Sequence, residues 1–168
     1  PLKDCSGADL RIPFCCGAGA LKSGKLRTFR EGSVIDAILA SSSMPTVFRP
    51  VELDGTLYVD GGVLCRVPVR QVKDMGADVV VAVDVLSDVE EVENISNVFS
   101  LIMRVYDIMD ANKTATDRRR TRRITDLWLE PQMQGISQYR LKYEQRIYDA
   151  GYRCGKKNAA KIRALLEE

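Results

Sequence analysis

Val51-Glu52-Leu53-Asp54-Gly55-Thr56-Leu57-Tyr58-Val59-Asp60-Gly61-Gly62 holds the strongest short-range hairpin signal in the chain, two short strand-forming runs around an Asp-Gly pair. Asp-Gly suits the positive φ values of a two-residue turn, so residues 51–53 and 56–59 are predicted to pair as antiparallel strands. The second strand leads straight into Asp60-Gly61-Gly62. Two residues without Cβ let the backbone turn sharply and approach a neighbouring loop closely. Asp60, at the strand end, is therefore the first candidate functional group. A plain turn, with the aspartate bonded to its own backbone, is the competing reading of the tripeptide.

On the N-terminal side, Arg11–Ala18 and Lys25–Arg30 are strand-like and joined by a Gly/Ser/Lys turn, and the second alternates so that one face is wet. Ser33 followed by Asp36 starts a helix. Val34, Ile35, Ile38 and Leu39 repeat at helical spacing to about Ser42, before Pro45. On the C-terminal side, Pro68 opens a short helix that Gly76 closes. Val79–Val83 is apolar on both faces, the pattern of a central parallel strand covered by helices.

From Asn94 onward, Ile95, Val98, Phe99, Ile102, Val105, Tyr106 and Met109 predict a long amphipathic helix. Leu127-Trp128-Leu129 is a short strand candidate, and Tyr143, Ile147, Cys154, Ile162 and Leu165 stripe a final helix. Strands alternating with helices predict an α/β fold: a mainly parallel sheet with helices on both faces and an antiparallel hairpin attached. Ligands in such sheets bind at the carboxyl ends of strands.

With 168 residues, 45% of them apolar and 29% charged, the chain is expected to form one globular domain. It has no apolar run of the ~18 residues that cross a bilayer, Pro1-Leu2-Lys3-Asp4 opens without the basic-then-apolar run of a secretory signal, and the start without methionine reads as a cut inside a longer protein. Five cysteines with no CxxC pair, and no histidine, argue against structural zinc. Their odd number reads as reduced thiols of a cytoplasmic protein, Cys15 and Cys16 packing as small apolar side chains. A net charge of +2 is too small to argue for nucleic acid.

Phe29-Arg30-Glu31-Gly32, Ala40-Ser41-Ser42-Ser43-Met44-Pro45, Val47-Phe48-Arg49-Pro50, Tyr58-Val59-Asp60-Gly61-Gly62-Val63 and Val67-Pro68-Val69 occur here in an order that resembles patatin-like phospholipases. Gly76-Ala77-Asp78-Val79-Val80-Val81-Ala82-Val83-Asp84-Val85 is similar to the strand that follows in bacterial members. The resemblance runs from about residue 11 to 85, with residues 94–168 as a helical remainder. A weaker echo continues at Leu129-Glu130-Pro131, Gly135-Ile136-Ser137 and Ala150-Gly151-Tyr152.

The resemblance implies a three-layer α/β domain, of which this would be the C-terminal portion. It also implies a lipid acyl hydrolase, a phospholipase or esterase, working with a Ser-Asp dyad, with a lipid or ester as substrate. Asp60 would be the general base, supported by Gly61 and Gly62, with Ser43 and Pro45 as candidates for the site wall. No metal and no cofactor are implied. The chain holds no Gly-x-Ser-x-Gly elbow and no glycine-rich oxyanion loop, which in the family lie upstream, so the piece alone is expected to be inactive. The alternative is a non-catalytic patatin-like binding or regulatory module.

The residue chemistry agrees independently. A serine nucleophile needs a base, histidine is absent, and a carboxylate raised by burial would have to serve. Asp84, also at a strand end, is the second carboxylate to weigh. Ser41, Ser42 and Ser43 close a helix rather than occupy a nucleophile elbow. Cys65 and Arg66 stand where the family commonly has asparagines. Arg118, Arg119, Arg120, Arg122 and Arg123 read either as a solvated helix end or as a peripheral contact with anionic lipid headgroups. An exposed edge around Val79–Val83 is expected to drive homo-oligomerisation.

Overall fold

A computed structural model of the chain describes residues 5–86, 95–133 and 143–167, which form parts of two compact units, Pro1–Gly76 and Ala77–Glu168. The expected helix start at Asn94 and the echo at Gly135-Ile136-Ser137 lie outside the described residues.

In the first unit, β1 (Cys16–Ala20), β2 (Lys25–Phe29), β3 (Val51–Leu53) and β4 (Thr56–Asp60) form one sheet in the order β2-β1-β4-β3. The two outer pairs are local hairpins. Asp54 and Gly55 take φ values of 49° and 69°, the mirror-image turn whose twist matches that of the flanking strands, and Leu53 pairs with Thr56. Gly24, at φ 65°, serves the β1–β2 turn. Strand β1 starts only at Cys16, so the strand predicted from Arg11 is shorter than expected; Pro13 has no N–H to give a ladder.

Every strand pair in this sheet is antiparallel, which corrects the mainly parallel sheet expected from the sequence. Tight turns make β1–β2 and β3–β4 antiparallel, since parallel neighbours need a long crossover, and the β1–β4 pairing joins the two hairpins antiparallel as well.

Helix α1 (Val34–Ser41) packs on β1, β3 and β4. Ser33 caps it, its Oγ accepting the Asp36 N–H at 3.2 Å, as predicted. Its buried face is Ala37 and Ala40, while Leu39 is 53% exposed and Ile38 is exposed as well. Of the residues that repeat at helical spacing, Ile38 and Leu39 thus point away from the core, while Val34 and Ile35 are half-buried. Alanine on the helix against Ala18 and Ala20 on β1 lets the backbones approach closely, and Tyr58, edge-on to Phe29 at 5.3 Å, fills the remaining core. Pro68 leads into α2 (Val69–Lys73), and Gly76, at φ 91°, follows it.

In the second unit, β5 (Val81–Val83) pairs in parallel with β6 (Leu127–Leu129), and the crossover between them contains α3 (Val98–Thr121). The Asp126 carboxylate accepts the Val80 N–H at 2.8 Å just before β5 begins. Burial of β5 alternates. Ala82 is buried, but Val83 is 46% exposed and Val81 is exposed too, so the strand is not covered on both faces as predicted.

Helix α3 begins at an Asn97–Ser100 capping box. Its buried positions are Met103, Asp110, Thr114 and Thr121, whereas Val98 (72%) and Met109 (67%), together with Phe99, Ile102 and Val105, are exposed. The apolar stripe read from the sequence therefore faces outward. The final helix, α4, runs Glu144–Glu167.

Candidate active site

Strand β4 ends on Asp60, whose position is fixed from three directions. It pairs with Ala18 on β1, its N–H donates to the Ser43 carbonyl at 2.9 Å, and its Oδ1 accepts the Gly62 N–H at 2.7 Å. That last bond caps a short 3-10 helix, Gly61–Val63. Oδ2 accepts no hydrogen bond among the described residues. The carboxylate is half-buried, and burial pushes its pKa above the usual aspartate value, partly opposed by the Gly62 N–H.

Gly61 is buried against the backbone of β1. A Cβ there would lie 2.6 Å from the Gly17 carbonyl carbon and closer still to its oxygen, so only glycine fits. Its own carbonyl accepts the N–H groups of Leu64 and Cys65. Gly17 was not singled out by sequence reasoning; a glycine in a strand is the signal that could have raised it.

Ser43 is buried, and its Oγ donates to the Leu39 carbonyl at 2.7 Å, so the hydroxyl is committed to the end of α1 while its carbonyl holds Asp60. Pro45 is half-buried beside it. Thr46 then adopts φ 69°, a left-handed backbone in a β-branched residue, and Met44 accepts the N–H groups of Val47 and Phe48. Neither the strain at Thr46 nor the exposure of Phe48 was predicted. Cys16 hydrogen-bonds to the Ser41 side chain, and burial raises the pKa of both Cys15 and Cys16, the Arg30 charge opposing it at Cys15. Both thiols are half-buried rather than fully packed into the core.

The family model for patatin-like phospholipases matches residues 17–73, from Gly17 on β1 to the end of α2. Over those residues the chain is similar to patatin-like phospholipases. An uncharacterised NTE family protein of Mycobacterium tuberculosis is 39% identical over 74 residues, 44% of this chain and 21% of its own length. Lysophospholipase NTE1 of Candida albicans is 29% identical over 77 residues, covering 46% of this chain and 6% of its own. Lysophospholipase nte1 of Aspergillus fumigatus, at 24% identity, aligns with 93% of this chain and 12% of itself. The chain thus spans about a fifth of the length of the first of these relatives.

The patatin-like segment contains Asp60, Gly61, Gly62, Ser43 and Pro45 together with Gly17. The structure brings Asp60, Ser43 and the two glycines of the motif to the β4 end. Asp84 lies outside the segment. It is buried, its N–H donates to the Leu129 carbonyl at 2.9 Å, and its Oδ1 accepts the Leu86 N–H at 3.3 Å in a local turn. Cys65 donates its thiol to the Val67 carbonyl at 3.6 Å.

The arginine cluster is not uniform. Arg118 pairs with Glu130 at 2.6 Å and stacks over the Trp128 ring at 4.9 Å, while Arg119, Arg120, Arg122 and Arg123 are exposed. No helix among the described residues is long and apolar enough to cross a membrane.

Proposed function

We propose that this chain contributes the carboxylate of a serine lipid acyl hydrolase, a phospholipase or esterase working with a Ser-Asp dyad, in which Asp60 is the general base. The nucleophile and the oxyanion donors come from elsewhere in the parent protein. One observation carries the reading: Asp60 is held through Oδ1 at a strand end, with Oδ2 accepting no hydrogen bond among the described residues and its pKa raised by burial. An ordinary aspartate is too acidic to be an effective base, and burial moves it toward the working pH. The relatives named as lysophospholipases support a lipid ester as the substrate class. The exposed arginines Arg119, Arg120, Arg122 and Arg123 would favour an anionic lipid surface.

The test is Asp60→Asn in the parent protein, read as kcat/KM on a short-chain ester beside a thermal melt. Asparagine keeps the carbonyl that accepts the Gly62 N–H, so the fold should stand, whereas losing a general base costs roughly 10²–10⁴ in rate. An unchanged rate would leave Asp60 a turn residue, with Asp84 the next carboxylate to test, whereas a parent protein without a Gly-x-Ser-x-Gly elbow would favour a non-catalytic module. The 168-residue chain alone is expected to show no turnover of a p-nitrophenyl ester that depends on Asp60.

A further inference from the structure

The second unit contains a groove of about 470 Å³ bounded by β6 and α4, well away in sequence from Asp60. Its volume lies within the range of small-molecule sites. On the helix side, Arg153, Lys157 and Lys161 follow one another at successive turns, so all three line the same side of the groove. All three are exposed, and none is paired with a carboxylate among the described residues.

The strand side supplies Trp128, Leu129 and Glu130. Glu130 does not cancel the helix charges, because its carboxylate already pairs with Arg118 at 2.6 Å. Trp128 is covered on one face by the same Arg118 guanidinium, and its buried indole N–H meets no acceptor among the described residues. The groove therefore combines uncompensated cations with the buried Leu129 and Ala150 among its lining residues.

We propose that this groove binds a phosphate-bearing anion. A phosphate offers several strong acceptor oxygens, which ammonium and guanidinium groups bind by charge-assisted hydrogen bonds. The phosphate could belong to a free ester or to a phospholipid headgroup. Both present the same group to the three cations, and they differ in whether a bilayer must accompany it.

Trp128, the single tryptophan of the chain, lines this groove, so its emission is sensitive to occupancy there. The experiment titrates the full 168-residue chain with glycerol 3-phosphate, with phosphatidylcholine vesicles, and with vesicles containing phosphatidylglycerol, each against potassium chloride at matched ionic strength. A saturable change with glycerol 3-phosphate that becomes roughly tenfold weaker or more in Lys157→Ala/Lys161→Ala establishes a site for free phosphate esters. A change confined to the anionic vesicles and lost in the same variant assigns the phosphate to a lipid headgroup. The charge-keeping variant Lys157→Arg/Lys161→Arg should retain either response, and thermal unfolding should be unaltered in both variants because the side chains are exposed. Absence of any saturable change, an equal response to chloride, or an affinity unaffected by removing both lysines overturns the proposal.

Discussion

Gly61 rests directly on the Gly17 carbonyl, closer than any side chain would allow. This contact seats the end of β4, and with it Asp60, against β1. Gly61→Ala should therefore force backbone apart and cost about 3 kcal/mol, the upper end of overpacking penalties. Gly17→Ala is the control, since its Cβ would meet the flexible Leu26 Cδ1 at 3.1 Å. It should cost ~1 kcal/mol or less. Urea melts of the two variants, compared for midpoint and slope, check the ordering; equal losses would show that the contact does not constrain the fold.

The raised pKa of Asp60 has two consequences of defined sign. As a base it works only when ionised, so in the parent protein the acid limb of kcat/KM should titrate above the unperturbed 3.8. For stability, a folded pKa above the unfolded one means the stabilising contribution is complete below 3.8 and is lost as pH rises through the folded value. Wild type should therefore lose stability relative to Asp60→Asn over that window. Chemical denaturation at a series of pH values measures the difference, and the opposite slope would mean that the Gly62 hydrogen bond outweighs burial.

Thr46 holds φ 69° in the turn that follows Pro45. For a β-branched residue this conformation costs roughly 1–2 kcal/mol, and asparagine tolerates it better. Thr46→Asn should leave the chain equally stable or more stable by up to ~1 kcal/mol. A thermal melt showing clear destabilisation would mean that the threonine side chain contributes more than its backbone loses.

Val83 on β5 and Val98, Phe99, Ile102, Val105 and Met109 on α3 are exposed apolar side chains within the second unit. Exposed apolar surface of this kind and an unpaired strand edge favour association. The 168-residue chain is expected to self-associate, and Val83→Lys with Phe99→Ser to reduce it. Light scattering across a concentration series distinguishes this from a strict monomer.

The sequence by itself determined the parts governed by near neighbours. Asp54-Gly55 dictates its turn because few residues accept two successive positive φ values. Ser33 sets the start of α1 because its hydroxyl reaches an N–H three residues on. The position of Asp60 at the end of β4 was legible for the same reason, one strand away from a readable turn.

Only the tertiary structure decided what distant segments do to one another. The pairing of Ala18 with Asp60 made the larger sheet antiparallel, brought Gly17 under Gly61 and half-buried the carboxylate. The same kind of long-range choice turned Ala37 and Ala40 inward in place of Ile38 and Leu39, and left the α3 stripe exposed. Periodicity identifies which residues share a face, but burial depends on what packs there, and that is fixed by contacts many residues apart. The groove between β6 and α4 arises in the same way, from side chains far apart along the chain, such as Trp128 and Arg153.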